Sequence, residues 1–271
     1  MVEGSTPPRK IVIIGGGTAG WMAANLLVSQ WKNTHISLVE SKDIGTIGVG
    51  EGSTPHLKLF FDAINVADSE WMPHCNATYK NGITFKNWSH HAGFTSYFHP
   101  FAAQTDDVFT LPLFFKNIRA RMQGFDVDAH PDNYFLETYL ARQQLGPLAA
   151  ESFPFGVAYG YHFDAALLGD FLATRAQRHG VNRVVGNVAS VLKANNGDIR
   201  AVLLATGENI EADFFIDCSG FSSVLMQQTL KVAYKSFHTN LFNNAAVVLP
   251  STITDNIPVE TTSTALSNSW A

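Results

Sequence analysis

Lys10-Ile11-Val12-Ile13-Ile14-Gly15-Gly16-Gly17-Thr18-Ala19-Gly20-Trp21 is the stretch that decides the fold. A short apolar run from Lys10 to Ile14 predicts a strand, and it ends in a glycine turn. After the turn, Ala19, Met22, Ala23, Leu26 and Leu27 recur at helical spacing. His35 to Glu40 then predicts a second strand. Strand, glycine turn, helix and strand within about thirty residues define a right-handed βαβ unit. Gly15-x-Gly17-x-x-Gly20 sits at its first turn, with Glu40 twenty residues past the third glycine. In such a turn the first glycine permits the tight bend and the second lets a pyrophosphate approach the backbone. The third lets the helix pack on the strand. Thr18 and Ala19 open the helix, whose free amides and partial positive charge suit phosphates. Glu40 can accept hydrogen bonds from ribose hydroxyls and disfavours a 2′-phosphate, which leaves NAD or FAD.

The other end of the chain favours FAD. The fingerprint occurs once, near the N-terminus, and Phe214-Phe215-Ile216-Asp217-Cys218-Ser219-Gly220 returns as a strand ending in Asp-x-x-Gly. That pattern suits a dinucleotide domain interrupted by a long insertion, with Asp217 at the cofactor. Residues 41–55 are glycine-rich and predict irregular backbone that can run close along a flat ligand. Gly50, Glu51 and His56 are its candidate contacts.

Composition narrows the partners. The 271 residues are 46% hydrophobic and 15% charged, and the formal net charge is −5. This is enough apolar material for a real core and too little basic charge for a phosphate-backbone footprint, so nucleic acid is excluded. No apolar run approaches the length of a membrane span. Two cysteines, Cys75 and Cys218, form no CxxC pair, and the ten histidines show no ligand spacing, so no metal site is expected. Two thiols without a secretory h-region predict a cytoplasmic protein.

Along the rest of the chain, 56–75 reads as helix and 82–88 as strand. Residues 89–160 are aromatic-rich, with helices near 111–123 and 132–145. Asp164 is a candidate N-cap for a helix carrying Leu167, Leu168, Phe171 and Leu172 and stopped by Gly180. Strands follow at 182–193, 199–205 and 209–217. Residues 251–269 hold nine Ser or Thr and read as a disordered tail.

Lys10 to Leu26, Gly48-Val49-Gly50-Glu51, Trp71-Met72, Cys75 to Lys80, Tyr161 to Ala165 and Ile216 to Phe221 together resemble the flavin-dependent halogenases of the tryptophan halogenase family. The resemblance runs in patches over the whole chain and is weakest at 100–155. It implies an α/β fold: an FAD-binding Rossmann-like (GR2-type) domain interrupted by a substrate-domain insertion. The expected divisions are 1–90 for the FAD-binding βαβ unit and flavin loop and 91–160 for the insertion. Residues 161–250 would return to the FAD domain, and 251–271 would be a linker or the start of a further part. Cys75-Asn76-Ala77-Thr78-Tyr79-Lys80 resembles the family's catalytic-lysine segment, which makes Lys80 the candidate catalytic residue. Phe98-His99 lies about where the family has a substrate-pocket histidine. The implied activity uses FAD, supplied reduced by a separate reductase, with oxygen and chloride or bromide. Hypohalous acid formed from these is relayed to the lysine, which directs halogen to an electron-rich arene such as tryptophan or another indole. Desolvation by neighbours such as Tyr79, Phe85 and Trp88 would free the Lys80 amine.

Two departures accompany the resemblance. Family members are about twice as long, and their Trp-x-Trp-x-Ile-Pro signature would begin at Trp270. Their catalytic glutamate and much of the indole pocket would fall beyond residue 271. On this alignment Ala245 to Leu249 predicts a core strand, and a chain ending at Ala271 is expected to be poorly soluble and unable to halogenate an indole. Alternatives are a flavin monooxygenase or reductase of the same superfamily, which has no use for Lys80, and a flavin-binding fragment without turnover.

Overall fold

Ile11, Val12, Ile13 and Ile14 are all buried, as a strand covered on both faces requires. A computed structural model describes residues 8–45, 50–249, 252 and 256–271. In chain order its first elements are β1 (Lys10–Ile14), α1 (Thr18–Gln30), β2 (His35–Glu40), β3 (Gly50–Gly52), α2 (His56–Ala63) and α3 (Asp68–Trp71). There follow β4 (Thr78–Lys80), β5 (Gly82–Lys86), β6 (Ser96–Pro100), α4 (Gln104–Met122), α5 (Leu136–Arg142) and β7 (Gly160–Asp164). The last are α6 (Ala165–Arg178), β8 (Asn182–Val185), β9 (Val188–Lys193), β10 (Ile199–Leu204), β11 (Asn209–Glu211), β12 (Phe214–Asp217) and β13 (Glu260–Thr264).

The chain divides into two compact units. One comprises Met1–Val49, Asp62–Asn76 and Asp164–Phe242, the other Gly50–Phe61, Ala77–Phe163 and Asn243–Ala271. A parallel-sheet α/β unit is thus interrupted by a second one, as the fold class predicts. The segments 50–61 and 77–90, which the sequence reading groups with the βαβ unit, lie in the second unit.

In the first unit a parallel sheet runs β12-β1-β2-β8. Each fully buried Ile or Leu side chain of β1 and β2 contributes about 1.5–3 kcal/mol. An antiparallel sheet, β11-β10-β9, adds Val202 and Leu204 to a core shared with Val12, Ile14 and Val39. The expected strand 182–193 is therefore two strands in two sheets, divided at Gly186-Asn187.

Helix α1 turns a different face inward from the one the periodicity predicts. Gly20, Trp21, Ala24 and Asn25 are buried, while Ala19 and Leu26 are exposed. Gly20 must face Gly15, because a Cβ at Gly20 would overlap the Gly15 carbonyl oxygen. That contact sets the phase of the helix. Asn25 then lies inside, donating to the carbonyls of Trp21 (2.8 Å) and Leu172 (2.9 Å) and accepting from Arg175 (2.9 Å). Helix α6 is as expected: Asp164 Oδ1 accepts from the amides of Ala166 and Leu167, and Gly180 adopts φ +97° after the last turn. The expected helix 56–75 is broken at Asn65 (φ +54°) and ends in a 3-10 turn, Met72–Cys75.

The second unit holds two three-stranded sheets, β3-β7-β4 and β13-β5-β6. The glycine-rich loop is thus not wholly irregular, since Gly50–Gly52 pairs as a strand; Thr46 to Val49 lie outside the described residues. Helix α4 begins seven residues before the predicted position and carries Pro112 inside it. Asp106 accepts the Ala103 amide at its first turn and so starts the helix upstream of the proline. The tail reading of 251–269 is corrected by β13, which pairs in parallel with β5 from Glu260↔Gly82 to Thr264↔Lys86. Strand pairing supplies the order that composition lacks. The strand predicted at 245–249 is absent, and Val247 and Leu249 are exposed.

Candidate functional site

The glycine turn is built by packing on one side and openness on the other. Gly15 has φ +114°, and a Cβ there would overlap the carbonyl oxygen of Cys218. Gly17 differs: a Cβ would meet nothing within 4 Å. As N-cap of α1 it offers no capping side chain, so no cap side chain takes up the first-turn amides of Thr18 and Ala19. Glu40 closes the turn from β2, its carboxylate folded against Gly16 and ion-paired with Arg183 of β8. The Arg183 guanidinium lies 6.0 Å over the Trp21 ring. Arg183 escaped the sequence reading because only the parallel β2–β8 register brings it to Glu40.

Asp217 ends β12 beside Ile14, next to the first glycine. Its Oδ1 accepts from the Ser219 amide (3.1 Å) and hydroxyl (2.5 Å), and its Oδ2 from the amides of Leu225 (2.8 Å) and Met226 (2.9 Å). Burial alone would raise this carboxyl, but the four donors hold it below its usual range. Four acceptor positions are filled by its own turn. What the structure shows of Asp217 is an anchor for the Asp-x-x-Gly loop and the π-helical turn Val224–Thr229 that follows.

Lys80 lies in the second unit, at the end of β4, and is 3% exposed. In the antiparallel β4–β7 ladder Lys80 stands opposite Gly160, Tyr79 opposite Tyr161 and Thr78 opposite His162. Opposed residues share a face, so Lys80 and His162 are diagonal neighbours, while the Ser53 carbonyl and the Phe101 ring pack over Gly160, 2.5 and 3.1 Å from where a Cβ would stand. Tyr79, Tyr159 and Tyr161 cluster on the other face, with ring centroids 5.3–6.1 Å apart. The Lys80 Nζ is 5.6 Å from the Phe101 ring centroid. Burial lowers the lysine from its ordinary value. No carboxylate among the described residues pairs with it. His162 is pushed down to about 4, first by burial and then by the Lys80 charge. At neutral pH the imidazole is uncharged. Phe85 and Trp88, expected beside the lysine, instead pack on each other in the β5–β6 region.

The remaining candidates fall elsewhere in the second unit. Gly50 and Glu51 are exposed on β3. His99 is exposed on β6, in the other sheet, where its ring meets Phe85. Both thiols are raised, Cys75 to about 11 by burial and Asp164, and Cys218 by burial and Asp217, so neither is a thiolate nucleophile at neutral pH. His162 and Thr261 are the neighbours of Lys80 that sequence reasoning missed. Tyr161-His162-Phe163-Asp164 carried part of the family resemblance and was the one available signal.

The tryptophan halogenase profile matches residues 10–271, and the chain belongs to that family. It is 35% identical over 293 aligned positions to the tryptophan 6-halogenase SttH of Streptomyces toxytricini, covering 97% of this chain and 54% of that protein. It is 37% identical to the 7-chloro-L-tryptophan 6-halogenase KtzR of Kutzneria sp., covering 88% and 50%. The SttH crystal structure superposes with a TM-score of 0.83 at 32% identity, covering 98% of this chain and 55% of that one. A tryptophan halogenase structure from Shewanella frigidimarina gives 0.83 at 29% identity, covering 98% and 53%. The chain spans about half the length of the curated relatives it matches.

Proposed function

We propose that the protein is an FAD-dependent halogenase that uses reduced flavin, oxygen and chloride or bromide to halogenate tryptophan or another electron-rich indole. The observation that carries this reading is the buried Lys80 amine, desolvated and without a counter-carboxylate among the described residues, in a chain of the tryptophan halogenase family. When bound, reduced FAD supplies the electrons by which oxygen and halide yield hypohalous acid. The glycine turn fits such a cofactor: Gly17 faces open space, the first-turn amides of Thr18 and Ala19 suit its pyrophosphate, and Glu40 suits its adenosine ribose.

Lys80 does the chain's own chemistry. Its neutral amine attacks the halogen of hypohalous acid, so that an N–halogen bond forms as the O–halogen bond breaks. The departing hydroxide takes a proton from nitrogen and leaves as water. A depressed lysine supplies more neutral amine at pH 7–8 than an exposed one does. The Phe101 ring, its centroid 5.6 Å from Nζ, helps keep the amine poorly hydrated. Reduced flavin is taken to come from a separate reductase, because the chain carries one dinucleotide fingerprint.

The test is Lys80→Ala in the whole protein, assayed with tryptophan, bromide, oxygen and reduced FAD from an added reductase. FAD binding, read by fluorescence, should stay within about twofold of the parent, while brominated product falls at least a thousandfold. Product at the parent's rate in the variant overturns the assignment.

A further inference from the structure

Four segments meet at Gly52. A Cβ built there would stand 3.1 Å from the Lys80 Nζ, 3.1 Å from the Thr261 Oγ1 and 3.3 Å from the His162 Cδ2. The ammonium, the hydroxyl and the imidazole edge therefore crowd one point beneath a residue with no side chain. His162 Nε2 and Thr261 Oγ1 are themselves hydrogen-bonded at 2.8 Å. His162 comes from β7, where its register opposite Thr78 fixes its face. Thr261 comes from β13, which is held to β5 by its parallel ladder and by the Thr84 hydroxyl donating to Glu260 (2.8 Å). The bond joins the two sheets of the second unit beside the lysine.

We propose that His162 and Thr261 are positioning residues for Lys80: their hydrogen bond fixes a ring edge and a hydroxyl against the amine under Gly52, holding Nζ in one place and excluding bulk water from it. The inference rests on the reading of Lys80 as the reacting amine and adds what sets its reactivity. Lysine has four rotatable bonds, and an unrestrained ammonium samples many positions and keeps its water shell. Here the slot supplies polar edges without a full charge. A carboxylate in place of His162 would hold the proton on the amine; a charged histidine would repel the ammonium. A neutral imidazole does neither. The other charged groups on the surrounding strands do not compete. Glu51 on β3 and Lys86 on β5 are exposed, Glu260 on β13 accepts from Thr84, and Asp164 at the end of β7 caps α6.

The experiment reads the amine directly, with no flavin or halide present. Trace acetic anhydride is applied to the whole chain between pH 6 and 10, and peptide mass spectrometry gives the labelling profile of Lys80 against exposed Lys32 and Lys86. In the parent, Lys80 should titrate below both references. His162→Ala and Thr261→Ala each open the slot to water and should move the Lys80 profile upward by about one pH unit, a tenfold fall in labelling on its rising limb. His162→Gln keeps a donor for the Thr261 oxygen and should retain the parent profile. An unshifted profile in Thr261→Ala, or a shift in His162→Gln as large as in His162→Ala, overturns the proposal. If His162→Ala loses its thermal transition, Thr261→Ala alone decides. The outcome is separable from the assignment of Lys80, since bromination by Lys80→Ala would sink that assignment and leave the labelling profiles untouched.

Discussion

The turn from Gly15 to Gly20 takes its shape from six consecutive residues, whereas the slot around Lys80 takes one residue each from β3, β4, β7 and β13. In the turn, backbone does the work: amides, a left-handed φ and the absence of Cβ atoms. In the slot, side chains do it, and their placement depends on two strand registers and one inter-sheet hydrogen bond. A site made of contiguous backbone resists most substitutions but fails completely when a critical glycine changes. A site assembled from distant side chains degrades in steps.

The largest effect expected lies within the turn itself. Gly15→Ala puts a side chain at φ +114° and into the Cys218 carbonyl, so the first unit should lose about 3 kcal/mol or more and its thermal transition should drop steeply. Gly17→Val meets open space and should cost only the roughly 1 kcal/mol of a poor N-cap residue, yet reduce FAD binding at least a hundredfold by filling the phosphate position. Calorimetry and flavin fluorescence on the two variants separate packing glycines from ligand glycines. Equal melting losses would break the distinction.

The second prediction concerns a buried acid in the second unit. Glu137 is fully buried with neither carboxyl oxygen in normal hydrogen-bond geometry, and it faces Asp106. Burial first, then Asp106, pushes it up to about 8. The unfolded carboxyl ionises near 4.5, so between pH 4.5 and 8 the folded state keeps a proton that the unfolded state has lost. Stability should therefore fall as pH rises through that window and level off above it, by on the order of a few kcal/mol. His162 contributes the opposite slope between about 4 and 6.5, because its folded value is depressed. Comparing the parent with Glu137→Gln isolates the acid: the variant should be flatter in pH and more stable above pH 8. Parallel melting curves from pH 5 to 9 would refute this.

The smallest effect should come from Arg183→Gln. The guanidinium is 42% exposed, so its pair with Glu40 contributes no more than about 1 kcal/mol. FAD or ADP affinity should weaken only a few-fold, measured by titration calorimetry. A hundredfold loss would make the turn as dependent on tertiary side-chain contacts as the lysine slot is.

Much of the first unit was readable because its signals are local. β1, β2 and the cap and stop of α6 follow from runs and residue types that act within a few positions. The inward face of α1 was misread by one step, since Gly20 against Gly15 outweighs the apolar stripe. The second unit was opaque where the order comes from partners far along the chain. Thr261 sits in a Ser/Thr-rich segment that composition marks as tail, and β5, some 180 residues earlier, turns it into a strand.

The sequence alone determined the glycine turn with its acidic partner, the interrupted α/β plan, the family and the candidate lysine. Each depends on residue type and short spacing, which the chain carries wherever it goes. Tertiary structure alone decided that Asp217 spends its acceptors on its own loop, that Arg183 holds Glu40, and that His162 and Thr261 enclose Lys80. Those outcomes turn on register and burial. A shift of one residue in β4 against β7 would send the lysine to the tyrosine face, and no local preference in the sequence forbids it.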